Sequence, residues 1–191
     1  MKKMLVFAAI LCCTFGLFAK FGDPKPELIQ LTFGLGADFE GWNQAGLTVG
    51  ADIDWNVWEK ATTSAHDSSG KMYAGLDLAA QWWIPTEGGF KHHSIMIPVQ
   101  GNFMYLFDTT KMEGAGPLQA VGPWYSMGVG FNVFTYEGVD STEANFEASF
   151  AWGIGAQLSF NNNWGLKAGF GGNAGNHWHQ DFFMAEASYR F

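Results

Sequence analysis

The sequence predicts an all-β chain of eight antiparallel strands running up and down, each apolar on one face. Three observations carry this. From residue 28 onward, apolar residues alternate with small polar ones, the period of a strand with two unlike faces. Glycine (25 of 191 residues) and aromatic residues (17%) are abundant, while charged residues are scarce at 15%. The chain also ends in a strand, Asp181–Phe191, with Phe183, Ala185, Ala187, Tyr189 and Phe191 on one face. Met184, Glu186, Ser188 and Arg190 share the other.

The first strand sets Ile29, Leu31, Phe33, Leu35 and Ala37 against Gln30, Thr32, Gly34, Gly36 and Asp38. A turn over 39–44 leads to the second, where Ala45, Leu47, Val49, Ala51, Ile53, Trp55 and Val57 face away from Thr48, Asp52 and Asp54. A polar connection, 58–71, precedes the third. There Met72, Ala74, Leu76, Leu78, Ala80, Trp82 and Ile84 oppose Gly75, Asp77 and Gln81, and Pro85 to Gly89 ends the strand. The fourth, about 94–107, is less regular because Met96, Met104 and Leu106 blur its polar face. Pro98 lacks a ladder donor and marks a strand end or bulge.

After a loop at 108–117, the fifth strand is expected over about 124–136, with Tyr125, Met127, Val129, Phe131 and Val133 on its apolar face. The sixth is clean, from Phe146 through Ile154 to Phe160 against Glu147, Ser149, Gln157 and Ser159. Asn161-Asn-Asn163 turns the chain. The seventh sets Trp164, Leu166, Ala168 and Phe170 against Lys167, and a loop over 172–180 leads to the closing strand.

Ahead of the strands, Met1-Lys-Lys3 and the uncharged run Met4–Phe18, ending at Ala19, have the three parts of a secretory signal peptide. The run is too short for a membrane-spanning helix, which needs about 20 residues. Cleavage after Ala19 removes both cysteines, Cys12 and Cys13, and leaves no thiol for a disulfide or a metal. Residues 20–27 are a proline-rich lead-in with no reason to pack, and 28–191 form one domain. Losing Lys2 and Lys3 changes 10 basic against 18 acidic residues to 8 against 18, a net of −10. That balance, without a basic run, excludes nucleic acid as a partner.

Alternation does not say which face is inside. A soluble, lipocalin-like barrel would turn its apolar face inward around a ligand and carry large charged residues outside. Here the polar face is mainly Gly, Ser, Thr, Asn and Asp, which suit a cramped interior. The apolar face gathers aromatics near strand ends: Trp55, Trp82, Tyr105, Phe107, Tyr125, Phe160, Trp164 and Tyr189. Such residues make the interfacial girdles of a transmembrane barrel, and only closed barrels satisfy the backbone in lipid without helices. The expectation is an eight-stranded up-and-down transmembrane β-barrel with its apolar face outward. Its lumen would hold Asp52, Asp54, Asp77, Glu147, Lys167, Glu186 and Arg190. An interior that narrow makes ionised groups pair, with Lys167 expected on Glu186 and Arg190 near Asp54.

The signal peptide, the eight alternating strands and the terminal Tyr189-Arg190-Phe191 together resemble the small outer-membrane barrels of the OmpA/OmpX/OmpW type. Ile97-Pro-Val-Gln100 and Gly122-Pro-Trp-Tyr125 are similar to a pattern common in porin-like barrel domains of diderm bacteria. The resemblance covers the mature chain as a pattern. It implies a monomer in the outer membrane, bounded by lipid, with Tyr189 and Phe191 read as an assembly signal by the barrel-assembly machinery. It implies little about activity. A structural or surface-interaction role with an occluded lumen is the expectation. The alternatives are a narrow OmpW-type channel for small or apolar solutes, a lipid-modifying barrel enzyme, and the soluble binder. With both termini periplasmic, 58–71 and 108–117 would fall on the side where turns are usually short.

No cofactor is expected. His177 and His179, two apart, with His92 and His93 in another loop on the same rim, are the one candidate set for Zn²⁺ or Cu²⁺, but their spacing meets no ligand rule. His66-Asp67-Ser68 has nucleophile and base types, yet sequence neighbours in a loop do not hold the fixed geometry that catalysis needs. No catalytic residue is assigned.

Overall fold

The computed structural model of the protein describes residues 26–38, 44–60, 69–86, 92–137, 142–176 and 179–191. Eight antiparallel strands close into a barrel in chain order. They are β1 (Leu28–Asp38), β2 (Gln44–Lys60), β3 (Gly70–Pro85), β4 (His92–Asp108), β5 (Leu118–Glu137), β6 (Thr142–Phe160), β7 (Trp164–Ala174) and β8 (His179–Arg190). β8 closes on β1 from Gln30 opposite Arg190 to Asp38 opposite Phe182. The Phe191 N–H extends this seam by donating to the Ile29 carbonyl at 3.1 Å. The signal segment 1–19 and lead-in residues 20–25 lie outside the described residues. Glu27 does pack: its N–H donates to the Asp54 carbonyl at 3.0 Å and its carboxylate pairs with Lys71 at 2.6 Å.

The apolar face points outward. Leu35 is 65% exposed, and Phe33, Val49, Trp82, Ile97, Ile154, Leu166 and Phe170 are also exposed. The alternating partners Gln30, Thr32, Asp52, Asp54, Asn102, Gln157, Lys167 and Ser188 are buried in the lumen. Burial therefore runs opposite to that of a soluble barrel, and the lumen is the core.

Several strands run longer than alternation indicates. β2 continues past a bulge at Val57, the residue skipped between the pairs Asn56–Tyr73 and Trp58–Met72, and this turns Trp58 to the outer face. β5 starts six residues before Trp124, because Gly122-Pro123 reads as a turn in sequence but stays extended here. Both prolines are accommodated without a bulge. Pairing of β4 with β5 lapses between Met104–Trp124 and Phe107–Val121, and that of β3 with β4 between Leu78–Val99 and Gln81–Met96. The register is the same on either side of each lapse. Pro98 is thus neither a strand end nor a bulge; it pairs with Gly130 on the β5 side.

The two long connections shorten to 61–69 and 109–117, nine residues each by the strand ends, and remain on the end that carries the termini. The second is an ordered hairpin. Thr109 donates to Gln119 and Leu118 carbonyls at 2.9 and 2.8 Å, and the Asp108 carboxylate accepts from Ser69 and Thr110. Gly114 and Gly116 supply its left-handed positions, with φ of 82° and 59°.

At Gly122 the β4 and β5 backbones approach so closely that a Cβ would overlap the Tyr105 carbonyl oxygen. Gly130, on the same strand, would place a Cβ 3.0 Å from the rotatable Ser149 hydroxyl. Gly122→Ala should therefore cost ~1–3 kcal/mol by overpacking, and Gly130→Ala distinctly less, measured by urea titration of protein refolded into lipid vesicles. Equal costs would contradict the close approach.

Candidate functional site

The lumen is the site the fold builds, because strand alternation sends every second side chain of all eight strands into one narrow space. Three layers fill it. Nearest the termini, Leu28, Tyr73, Met104, Leu106 and Trp124 form an apolar cluster, with Ala120 and Met184 packed against it. At the opposite end Trp83, Met96 and Phe182 form a second, also packed against Met184. Trp83 and Phe182 lie ring to ring at 4.7 Å. Charged and amide side chains lie between.

Lys167 is the centre of that middle layer. The residue is 2% exposed, and its ammonium group lies 3.3 Å from Asp52, 3.1 Å from Asp77 and 4.4 Å from the centre of the Trp124 ring. Sequence pairing placed it on Glu186. Glu186 is indeed its partner across the β7–β8 ladder and is buried, but Lys167 reaches across the lumen to β2 and β3 instead. The long lysine stem allows this; adjacency in a ladder sets backbone spacing and not where a four-carbon chain ends.

Asp54 also has a different partner from the expected one. Asn102 donates to both its carboxylate oxygens at 3.1 and 3.3 Å. Arg190 instead donates to the Phe160 carbonyl at 2.8 Å and to Gln119 at 3.4 Å, tying the last strand to the barrel's terminal rim. Glu147 lies near the other rim, where its carboxylate accepts the Asn176 N–H. Amide pairs complete the fill: Gln157 donates to Gln30 at 2.8 Å and Gln180 to Gln44 at 3.0 Å. Thus Asp52, Asp77 and Lys167 form one ion-paired unit, with Asp54 and Glu186 buried in the same lumen. Glu147 and Arg190 belong to opposite rims.

Little space remains. Beside the central layer a cavity of about 10 Å³ lies among Asp77, Gln81, Met96, Gln100, Met184 and Glu186, roughly the room one water requires. A larger hollow of about 460 Å³ opens at the terminal mouth, lined by Glu59, Lys71, Tyr73, Asp108, Gln119 and Arg190 among others. The cluster beginning with Tyr73 and Leu106 separates it from the charged layer.

The lumen aromatics are what sequence reasoning missed. Trp83, Trp124, Phe134 and Phe182 are fully buried, yet each is next to an outward apolar residue and reads as part of the outer belt. Their parity was the available signal: Trp124, Phe134 and Phe182 share the even, inward parity of the polar residues on β5 and β8, and Trp83 shares the odd, inward parity of Asp77 and Gln81 on β3. Met96, Met104 and Leu106, which blur the fourth strand, belong to these same clusters.

On the outer wall the aromatic belt is uneven. Trp55, Tyr105, Phe107, Phe160, Trp164 and Tyr189 sit toward the terminal end, Tyr125 further along the wall, and Trp82 toward the other end. The Trp164 and Tyr189 rings meet edge to face at 5.2 Å, and Tyr189 meets Phe191 at 5.3 Å. Of the histidines, His92, His93 and His179 lie in strands and not loops. His179 stands 3.7 Å from Asp181. His177 and the His66-Asp67-Ser68 segment are outside the described residues. Among the described residues no group of three or more His, Cys, Asp and Glu side chains could hold a metal ion.

No protein-family model matches the chain, and neither does any curated protein sequence. Solved structures do. The N-terminal β-barrel domain of OprF from Pseudomonas aeruginosa superposes with a TM-score of 0.55 at 14% identity, covering 87% of this chain and 98% of that domain. The outer-membrane enzyme PagL gives 0.48 at 18% identity, over 85% and 98% of the two chains. Ail, the attachment invasion locus protein of Yersinia pestis, gives 0.45 at 14% identity, over 86% and 97%. The fold is that of the small eight-stranded outer-membrane barrels, and the first of these likenesses carries that statement.

Removing the lysine tests the charged layer. Lys167→Met strands Asp52 and Asp77 and should destabilise the barrel by ~3–5 kcal/mol, the cost of breaking a buried pair. Adding Asp52→Asn and Asp77→Asn should recover most of it. A single variant as stable as wild type in vesicle refolding would show that the layer is not held by this pair.

Proposed function

We propose that this chain is an integral outer-membrane barrel of a diderm bacterium, a monomer whose role is structural or surface-interacting rather than transport or catalysis. The observation that supports it best is the combination of an outward apolar wall with a lumen closed at two levels. A wall bearing Phe33, Leu35, Val49, Ile97, Ile154 and Phe170 exposes far more apolar surface than water tolerates. Lipid is the solvent such a wall fits, and a closed barrel leaves no unpaired edge in the hydrocarbon. A channel would need the Tyr73–Trp124 and Trp83–Phe182 clusters to part, and an ion crossing the middle would meet Lys167 among its carboxylates. The Met96, Met104 and Leu106 side chains that could have lined an apolar path are the packing of these plugs.

The terminal Phe191, exposed on the outer side beside Tyr189, is available for recognition by assembly machinery. Deleting it removes one backbone bond to Ile29 and little packing, so export to the periplasm should continue while insertion into the outer membrane fails. Normal amounts of folded, protease-resistant protein in outer-membrane fractions would contradict that role.

Membrane insertion itself is tested by Ile154→Arg, which should cost ~2–4 kcal/mol near the midplane of a bilayer, read by urea titration in vesicles. Closure is tested in planar bilayers, where wild type should give at most small, cation-preferring currents. A double change, Trp83→Ala with Trp124→Ala, should raise conductance by removing one ring from each plug. Large steady conductance from the wild-type barrel would overturn the structural reading in favour of a pore.

A further inference from the structure

We propose that the outer wall carries a defined seat for one acyl chain of a membrane phospholipid, in the half of the barrel nearer the termini. This rests on the membrane reading above and adds a site to it. A groove of about 450 Å³ is sunk into the outward face, lined among others by Met72, Phe103, Tyr105, Pro123, Tyr125 and Ile154. The register makes these one patch crossing four strands: Met72 is opposite Tyr105, Phe103 opposite Tyr125, and Tyr125 opposite Ile154.

The groove has a sequence cause. Phe103 and Tyr125 stack with ring centres 5.0 Å apart and planes 7° from parallel, while Tyr105 meets Phe107 edge to face at 4.5 Å. These rings stand tall on either side of Pro123, whose short, flat ring is exposed on the outer face. Pro123 is followed across the β5–β6 ladder by another short side chain, Ala156. The lapse of pairing between Tyr105-Leu106 and Gly122-Pro123 lies in the same place. A low spot is thus bounded by rigid aromatic walls.

Its occupant follows from chemistry and position. Apart from two phenol oxygens the lining side chains present carbon and sulfur, so a polar solute would lose its hydrogen bonds to water and gain few. Continuity with the lipid-facing belt means that hydrocarbon is the solvent at its opening. Tyr105 and Phe107, with Trp58 6.1 Å from Tyr105, stand at the terminal edge of the belt, where aromatics favour the headgroup boundary. Ile154 lies six residues from Phe160 along β6, about 15 Å deeper at the usual strand rise and tilt. Half of an apolar band ~25 Å tall is of similar depth, so the groove runs along the span of one leaflet's chain. A chain lying there touches protein on two sides, where a flat wall offers one, and dispersion contacts accumulate accordingly.

The test uses full-length mature protein released from mixed micelles of neutral detergent and dioleoyl phosphatidylethanolamine, with bound lipid counted by native mass spectrometry as activation is raised. Wild type should keep one lipid after the others are stripped. Ile154→Trp and Met72→Trp, which fill opposite ends of the groove, should each reduce that retained fraction at least tenfold. Leu35→Trp, on the far wall, should leave it unchanged. Heat-modifiable gel mobility of each variant reports the closed barrel separately, so loss of the seat is distinguished from loss of the membrane fold. Wild type should also retain the dioleoyl lipid over a dihexanoyl one, a comparison that needs no variant. Equal retention by groove and far-wall variants, no retained lipid, indifference to chain length, or a second protein chain retained in place of lipid would each overturn the proposal.

Discussion

The constraint on which this structure depends is the width of its lumen. Eight strands enclose a space only just filled by side chains, so whatever faces inward must pack and must be electrically compensated. Lys167 meets both demands. Its chain threads between Trp124 and the carboxylates of Asp52 and Asp77, joining strands β7, β2 and β3 at one level. A shorter cation could not reach across the lumen, and an apolar residue would leave two carboxylates without a counter-charge. Taking charges out of water is expensive, and the return comes only from near-ideal geometry and further hydrogen bonds. The arrangement therefore specifies a unique packing more than it adds net stability.

Around that layer the barrel shows two ways of closing a tube. One is the apolar cluster, at Tyr73–Trp124 toward the termini and at Trp83–Phe182 toward the other end. The other is the amide pair, Gln157 with Gln30 and Gln180 with Gln44, each joining strands that are not neighbours in the wall. The small residues Gly36, Gly46 and Gly153 have the complementary use. At Gly46 the nearest neighbours of any added Cβ are atoms of the Trp83 ring, and at Gly153 the Trp124 ring is among them. Glycine in the strand facing each indole is what lets a large ring lie within an eight-stranded lumen. At these two places packing explains composition: each inward indole takes space that a neighbouring position gives up by being glycine.

Much of this was legible beforehand, for physical reasons. Strand alternation is a local property of the backbone, so the outward set Ile29 to Ala37 on β1, or Phe146 to Phe160 on β6, could be read residue by residue. The choice of outward over inward followed from the smallness of the polar residues. Interior partners were not legible, because they are set by register around a closed ring and by where flexible side chains end. Lys167 with Asp52, and Asn102 with Asp54, join strands far apart in sequence. The inward aromatics were hidden for another reason. Trp82 and Trp83 are chemically alike and adjacent, yet one faces outward and the other forms the floor of the lumen; only their parity separates them. Strand ends were obscured by glycine and proline, as at Gly122-Pro123, where residues typical of turns continue a strand because one side of the ladder does without a donor.

The two ends of the barrel are not equivalent, and the difference bears on where recognition can occur. A closed lumen and an outer wall given over to lipid leave the rims as the surfaces that meet water. The terminal rim has the longer connections, the ordered hairpin at 109–117, the Glu27–Lys71 pair and the polar hollow between Lys71 and Arg190. At the other rim the strands themselves reach further: β6 pairs with β5 as far as Thr142, but its ladder with β7 begins only at Phe150. Glu147, in that extension, turns inward and accepts the Asn176 N–H, holding the start of the β7–β8 connection over the mouth. One end thus presents an ordered polar hairpin and a cavity, while the other presents a raised edge of β4, β5 and β6. Alternation, which dictates the wall, places no demand on either rim, so the rims are where this chain is free to differ from other barrels of its shape.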